Sequence, residues 1–342
     1  MIKILTYEHI NHSAWQQLTE QSPTTSWFQT PEAYKFYQSV SDAQEFVYGV
    51  SKEDNLVGIV VGYITQEKSV LKQYFTCRAI VVGGPLLADD ISDEALAALL
   101  QAIRRIGDKA KDKENSRTLT SASTPIYIES RNFNDYSKWK SIFEQSGFAY
   151  QPHYDIHVHC SAQHRLSERR QRELKRAIKN GATVAQAQSE QEIRDWYQIL
   201  SRLYREKVHT PLFSEDFFLQ FYRNGVGKYL LVKHEDKIIG GMMCPILDGK
   251  AIYEWYVCGL DEEYKDLSPS VVATHAAIEY AKNNGLPLFD FMGAGEPDIP
   301  YGVRDFKMEF GGELKEYGRF LCIRKPLLYW IGKMGVKLLK RK

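Results

Sequence analysis

The chain has 342 residues, which is long for one hydrophobic core; domains usually hold roughly 100–200 residues, so two are expected. A hydrophobic fraction of 44% and an aromatic fraction of 13% describe a globular chain suited to β-rich cores and to clefts that hold organic substrates. The 44 Lys and Arg stand against 43 Asp and Glu, so no global charge argues for or against nucleic acid, and only a local patch could.

The opening MIKILTYEHINHSAW lacks the long apolar core of a signal peptide. Phe46 to Val50 and Leu56 to Tyr63 read as strands joined by the charged turn Ser51 to Asn55, which predicts a hairpin. Ala79 to Val82 is a further strand that stops at Gly83-Gly84-Pro85, and Ser92 is an N-cap for a helix from Asp93 to Lys111. A strand at Ile126 to Glu129 and an amphipathic segment from Trp139 to Gly147 follow. The same order then recurs. Tyr229 to Val232 and Ile238 to Met243 make a second hairpin, and Ile252 to Val257 a strand that ends at Cys258-Gly259. Ser268-Pro269 opens a helix from Ser270 to Asn284 that Gly285 stops, before a strand at Leu288 to Phe291 and an amphipathic segment from Asp305 to Gly312. Two copies of a hairpin, strand, helix, strand unit predict two α/β domains, at residues 1–160 and 161–323, with a tail at 324–342.

Between the copies, Ser161 to Gly181 carries Arg165, Arg169, Arg170, Arg172, Lys175, Arg176 and Lys179 on a predicted helix. It is either a solvated connector or a basic wall suited to phosphate or RNA. The tail, RKPLLYWIGKMGVKLLKRK, has seven basic and no acidic residues. Leu327, Ile331, Met334 and Leu338 form one stripe from which Lys333, Lys337 and Lys340 fall away. That pattern fits a helix packed on the protein or a basic amphipathic helix resting on anionic lipid at the inner membrane surface. The five cysteines are scattered and never in CxxC, which points to reduced thiols, and no apolar run reaches the ~18 residues of a membrane span. A soluble, cytoplasmic protein is expected.

For chemistry, His153, Asp155, His157 and His159 share one face of a strand, since side chains repeat every second residue. No second ligand cluster is evident and neighbouring same-face positions seldom converge on one ion, so no metal is expected. GxxxxGK[ST], GxGxxG after a strand and GxSxG are all absent, which counts against nucleotide hydrolysis, dinucleotide redox and hydrolase chemistry. The stretch FDFMGAGEPDIPYGVRDFKMEFGG places Lys307 between Phe306 and Phe310. Its ammonium either snorkels to solvent or, held in a semi-apolar cleft, stabilises an oxyanion as an amine attacks an ester or thioester.

Trp27-Phe28-Gln29-Thr30-Pro31 followed by Lys35, the basic segment Arg172 to Gly181, Leu203 to Phe218 and above all Ser268 to Gly312 resemble the Fem family of peptidyltransferases, a FemABX-like branch of the GNAT superfamily. The resemblance spans nearly the whole length. It implies an α/β (α+β) fold of two tandem GNAT-like domains, the acyl-CoA N-acyltransferase fold, with a mixed sheet in each. It further implies an acyltransferase that moves an amino acid from aminoacyl-tRNA to an amine of a phosphate-bearing cell-wall precursor, with no metal or other cofactor. On the same resemblance Phe306-Lys307 matches a Phe-Lys pair implicated in transfer, and Lys35 a contact to the precursor phosphates. Arg205 is the partner of Lys35, with Lys207 as its rival, and Tyr256 and Tyr301 are cleft walls. Glu254, Asp290 and Glu309 are the candidates for the base.

Two departures stand out. No antiparallel helical arm follows residues 161–180, which removes one tRNA contact, and the place of the CoA-pyrophosphate loop reads Asp261 to Ser270, acidic and without glycine. The alternatives are a CoA-dependent N-acyltransferase of exopolysaccharide or lipid synthesis and a non-catalytic scaffold that binds lipid or RNA.

Overall fold

A computed structural model describes residues 1–67, 69–108, 124–161 and 163–339. The chain divides into two units, one made of Met1–Pro152 with Tyr317–Lys342 and the other of His153–Glu316.

The first unit opens with strand β1 (Ile2–Leu5) and helices α1 (His12–Gln21) and α2 (Pro31–Ser39). Asn11 and Thr30 start these helices by accepting the Ala14 and Ala33 N–H, and Pro31 sits in a first turn, where a missing donor costs nothing. The expected hairpin is β2 (Ala43–Lys52) and β3 (Asn55–Thr65), turning at Glu53 and Asp54, both at positive φ as a two-residue turn requires. Helix α3 (Val70–Thr76), strands β4 (Ala79–Gly83) and β5 (Leu86–Leu87), helix α4 (Asp93–Arg104), strand β6 (Tyr127–Asn132), helix α5 (Lys140–Gln145) and strand β7 (Ala149–Gln151) follow. Helix α4 ends at Arg104, earlier than expected, and residues 109–111 of the expected span lie outside the described residues.

The second unit runs through strand β8 (Tyr154–His159), helix α6 (Glu168–Lys179), strand β9 (Thr183–Gln186) and helices α7 (Glu190–Leu203) and α8 (Glu215–Arg223). Its hairpin is β10 (Gly227–His234) and β11 (Lys237–Leu247), turning at Glu235 and Asp236, again both at positive φ. The single strand expected at Ile252 to Val257 is two, β12 (Ala251–Tyr253) and β13 (Tyr256–Gly259). Helix α9 (Pro269–Asn283), strand β14 (Leu288–Asp290), helix α10 (Gly302–Met308) and strand β15 (Glu313–Glu316) complete it. The chain then returns to the first unit as strand β16 (Arg319–Ile323) and helix α11 (Pro326–Leu339).

Both sheets are mixed and follow one scheme. The first has the order β1-β2-β3-β4-β6-β16-β7 and the second β9-β10-β11-β12-β14-β8-β15, with β5 and β13 paired to β3 and β11 beside these paths. Among the described residues only β4 with β6, and β12 with β14, run parallel. The last-but-one strand of each sheet comes from the segment that follows the other unit in sequence. Strand β8 follows β7 in sequence yet pairs with β14 and β15, and β16 follows β15 yet pairs with β6 and β7. Residues 153–160 therefore belong to the second unit and 317–323 to the first, unlike the boundaries expected at 160 and 323.

Each unit has its own core. Leu96, Leu99 and Ile103 of α4 pack with Val60, Val81 and Ile128, and Val272, Ala277 and Ile278 of α9 pack with Met242, Ile252 and Phe289. The motif residue Gln29 is fully buried, and its amide bonds the Val61 N–H, the Val61 carbonyl and the Val82 carbonyl, filling a gap between β3 and β4.

Candidate functional site

Strand β12 is registered with β14 from Ala251–Leu288 to Tyr253–Asp290. The Glu254 N–H still reaches the Asp290 carbonyl at 2.9 Å, but Trp255 then donates to Met243, and β13 pairs with β11. Beyond Asp290 the other chain bends away through Met292 at φ 56° and Gly293 at φ 118°. The two strands part, and the Phe291 and Gly293 carbonyls are left without a strand partner across the gap.

Lys307 of α10 fills that gap. Its Nζ donates to the Phe291 carbonyl at 2.7 Å and the Gly293 carbonyl at 2.9 Å, and lies 3.1 Å from Glu254 Oε1. Only 8% of the residue is exposed, and an ammonium has three donors, so this geometry occupies all of them. Two aspartates hold the same turn from the other side. Asp290 Oδ1 accepts from the Met292 N–H at 2.6 Å and Asp155 Oδ1 from the Gly293 N–H at 2.8 Å. A non-glycine residue at positive φ costs about 1–2 kcal/mol, and these bonds hold Met292 there.

Behind the turn lies a buried cluster. His157 Nε2 is 3.4 Å from Asp290 Oδ2 and 3.9 Å from Asp155 Oδ2, and the ligand atoms of the three residues lie within 4.8 Å of one another. Burial, with Asp290 beside it, pushes the Asp155 carboxyl up to about 8. Burial alone would lower His157, but the Asp290 and Asp155 carboxylates outweigh it and raise the imidazole above its ordinary value. Glu254 is also raised, because its burial outweighs the attraction of Lys307. A proton on Asp155 and one on His157 would leave Lys307 and His157 balancing Glu254 and Asp290. A divalent cation between Asp155, His157 and Asp290 would balance the charges equally well, and among the described residues these have the geometry for one. Of the four same-face residues considered for a metal in the sequence, His159 is exposed beside Glu313 and His153 is half-buried near Gly293. The ligand that the sequence pattern missed is Asp290, which another strand supplies.

The remaining candidates of this unit surround the gap unequally. Tyr256 is half-buried in an aromatic wall with Phe218, Trp255 and Tyr204, at ring distances of 5.0, 6.1 and 6.2 Å. Tyr204 begins a π-helical turn, Tyr204–Val208, which also carries Arg205 and Lys207. Arg205 has a side chain 70% exposed and only a 3.6 Å approach to Glu206, whereas its rival Lys207 is bound to Glu262 at 2.5 Å. Phe306 lies under the Arg170 guanidinium at 4.3 Å, and exposed Tyr301 packs against Gly295 in the loop that Arg304 pins through the Ala294 and Ile299 carbonyls. Glu309 approaches Arg169 at 3.4 Å and Arg170 at 2.7 Å.

The arginines of the basic helix α6 are paired with carboxylates of the helix and of other segments. Arg170 is buried in that network, while Arg169 pairs with Glu173, Arg172 with Glu168 and Arg176 with Asp266. At the N-terminus of α9 the Asp261 carboxylate accepts the Ser270 N–H at 3.1 Å and its hydroxyl at 2.5 Å, and Pro269 has no N–H to offer. Lys35 is exposed on α2 of the first unit.

Residues 167–308 match the family described as acetyltransferase (GNAT) domain. The fold is similar to that of FemX, at 14% identity over 96% of this chain and 99% of that one, with a TM-score of 0.67. It is also similar to L-PGS from Bacillus licheniformis, at 13% identity over 97% of both chains and a TM-score of 0.57. A tandem GNAT protein from the clavulanic acid biosynthesis pathway is 10% identical over 94% of this chain and 98% of that one, with a TM-score of 0.57. No curated protein matches. The chain is a tandem GNAT-fold protein. The family match at residues 167–308 falls within its second unit.

Proposed function

We propose that the second unit transfers an aminoacyl group from aminoacyl-tRNA to an amine on a phosphate-bearing cell-envelope precursor of the peptidoglycan type. The observation that carries the choice of donor is the N-terminus of α9. A CoA pyrophosphate would need the helix's first N–H groups, and there the Asp261 carboxylate already takes Ser270 while Pro269 offers none. The negative charge of Asp261 at that place also opposes a diphosphate.

In this reading the attacking amine bonds to the ester carbonyl carbon at the gap between β13 and β14. Lys307 exchanges its bond to the Gly293 carbonyl, the less buried of its two carbonyl partners, for the developing oxyanion. The base is Glu254. Glu309 is held by two arginines and Asp290 by the Met292 N–H, whereas Glu254 Oε2 has no hydrogen-bond partner among the described residues. Its raised pKa suits it to take the amine proton and to return it to the departing ribose oxygen as the intermediate collapses. Tyr256, Phe306 and Tyr301 supply apolar walls for the donor, and Arg205 and Lys35 each offer an exposed cation for acceptor phosphates.

The test is incubation with charged tRNA or acetyl-CoA and a lipid-linked or UDP-linked muropeptide, read by mass spectrometry of the acceptor. Transfer from tRNA alone is expected. Transfer from acetyl-CoA alone would assign the chain instead to CoA-dependent N-acylation.

A further inference from the structure

We infer that helices α3 and α11 of the first unit form one surface that seats the protein on an anionic bilayer. The two helices pack against each other, and Lys325 bridges them with its Nζ 5.3 Å over the Tyr74 ring. On α3, Leu71, Tyr74 and Phe75 recur at the spacing of one helix face, and on α11 Leu327, Trp330, Ile331 and Met334 do the same. All seven are exposed, from 43% to 73%, although they are large apolar or aromatic side chains. A soluble surface rarely leaves so many together without something to cover them.

The charge around this patch selects what covers it. From Arg324 to Lys342 the sequence has seven basic residues and no acidic one. Lys333 sits 5.6 Å over the Trp330 ring, so a cation lies directly beside the apolar face. A second copy of this chain would bring the same cations against themselves, whereas anionic lipid headgroups complement them while the apolar side chains enter the acyl boundary. Trp330 and Tyr74 are the residue types that settle at that boundary. Helix α11, at 14 residues, is too short to cross, and no helix of the described residues is long and apolar enough to do so. The surface therefore lies on the membrane rather than in it. The assignment is independent of the donor and acceptor of the transfer reaction.

The experiment is flotation of the full chain with vesicles of mixed phosphatidylglycerol and phosphatidylcholine, and with vesicles of phosphatidylcholine alone. Binding to the anionic vesicles is expected, weakened by salt, and at least ~10-fold weaker in the Leu327→Asp, Trp330→Asp double variant, whose positions are exposed and leave the fold intact. Brominated lipid should quench a fluorescence component that Trp330→Phe removes while binding is retained. Three results would overturn the proposal. They are no flotation, equal flotation of wild type and double variant, or concentration-dependent self-association that Trp330→Asp abolishes without any vesicle binding.

Discussion

In the first unit β4 stays registered with β6 from Ala79–Ile128 to Gly83–Asn132, while in the second β12 leaves β14 after Tyr253–Asp290. Both units bury charge on the second strand of that pair and on the strand next to it in the sheet, in opposite ways. On β6 and β16, Glu129 is gripped by Arg131 at 2.8 Å and Arg319 at 3.0 Å. Burial works against the Glu129 charge, but the two guanidiniums overcome it and hold the carboxyl at about 2. Arg131 is correspondingly raised, while desolvation outweighs pairing at Arg319 and lowers it. On β14 and β8, by contrast, Asp290, Asp155 and His157 form a cluster with more carboxyl than cation, and Asp155 rises to about 8. Each unit also has a plugged gap, though between different strands: the neutral amide of Gln29 lies between β3 and β4 in the first, and the Lys307–Glu254 pair lies where β12 and β14 part in the second. The closed unit holds its buried carboxyl in the charged form, and the open one holds Asp155 and Glu254 poised to carry a proton. Acid–base chemistry needs the second kind.

Removing the charged plug should have the largest effect. Lys307→Met strands Glu254 and two buried carbonyls, and should cost about 3–5 kcal/mol in denaturant unfolding as well as abolish transfer. Lys307→Arg should recover part of the stability and little of the rate. A Lys307→Met protein with wild-type stability would mean that the gap closes without the pair. Gln29→Ala, which removes the first unit's plug, leaves three backbone groups unpaired and should cost about 2–3 kcal/mol by the same measurement.

The two clusters should also answer pH with opposite signs. Glu129 is lowered by folding, so its contribution is complete above the ordinary carboxylate value and is lost as pH falls toward about 2. Asp155 is raised, so its contribution is complete in acid and is lost as pH rises through about 8, and His157, also raised, runs the same way. Amide exchange, corrected for intrinsic rate, should quicken first in β6 and β16 on acidification and in β8 and β14 on alkalinisation. Asp155→Asn should flatten the alkaline limb alone; the same limb in wild type and variant would remove Asp155 as its source. The smallest effect on stability belongs to Lys35→Ala and Arg205→Ala, both at exposed positions. Thermal unfolding should be unchanged, while KM for a phosphate-bearing acceptor rises roughly tenfold, the worth of one charge-assisted hydrogen bond.

Much of this was legible in the sequence. The strand runs on either side of a charged turn predict both hairpins, and Ser92 and Ser268-Pro269 predict the starts of α4 and α9. The exchange of β8 and β16 was hidden, because strand periodicity shows which face of a strand is buried and never which sheet it joins. For the same reason Asp155 and His157 were visible as a pair and Asp290 was not seen beside them. Lys307 stood out in the sequence, but its three internal acceptors did not, since two are backbone carbonyls, which every residue has. The sequence left the basic helix open between a solvated connector and a basic wall, because its partners Glu309 and Asp266 lie far along the chain.

The central claim is that the open unit's Lys307–Glu254 pair performs the transfer, and Glu254→Gln tests it most directly. The change is isosteric and keeps a hydrogen-bond acceptor for Lys307, so circular dichroism should show a folded protein. Single-turnover transfer from charged tRNA, followed across pH, should then be at least ~100-fold slower and should lose the limb that reports the base. Transfer at the wild-type rate with an unchanged pH profile would contradict the account.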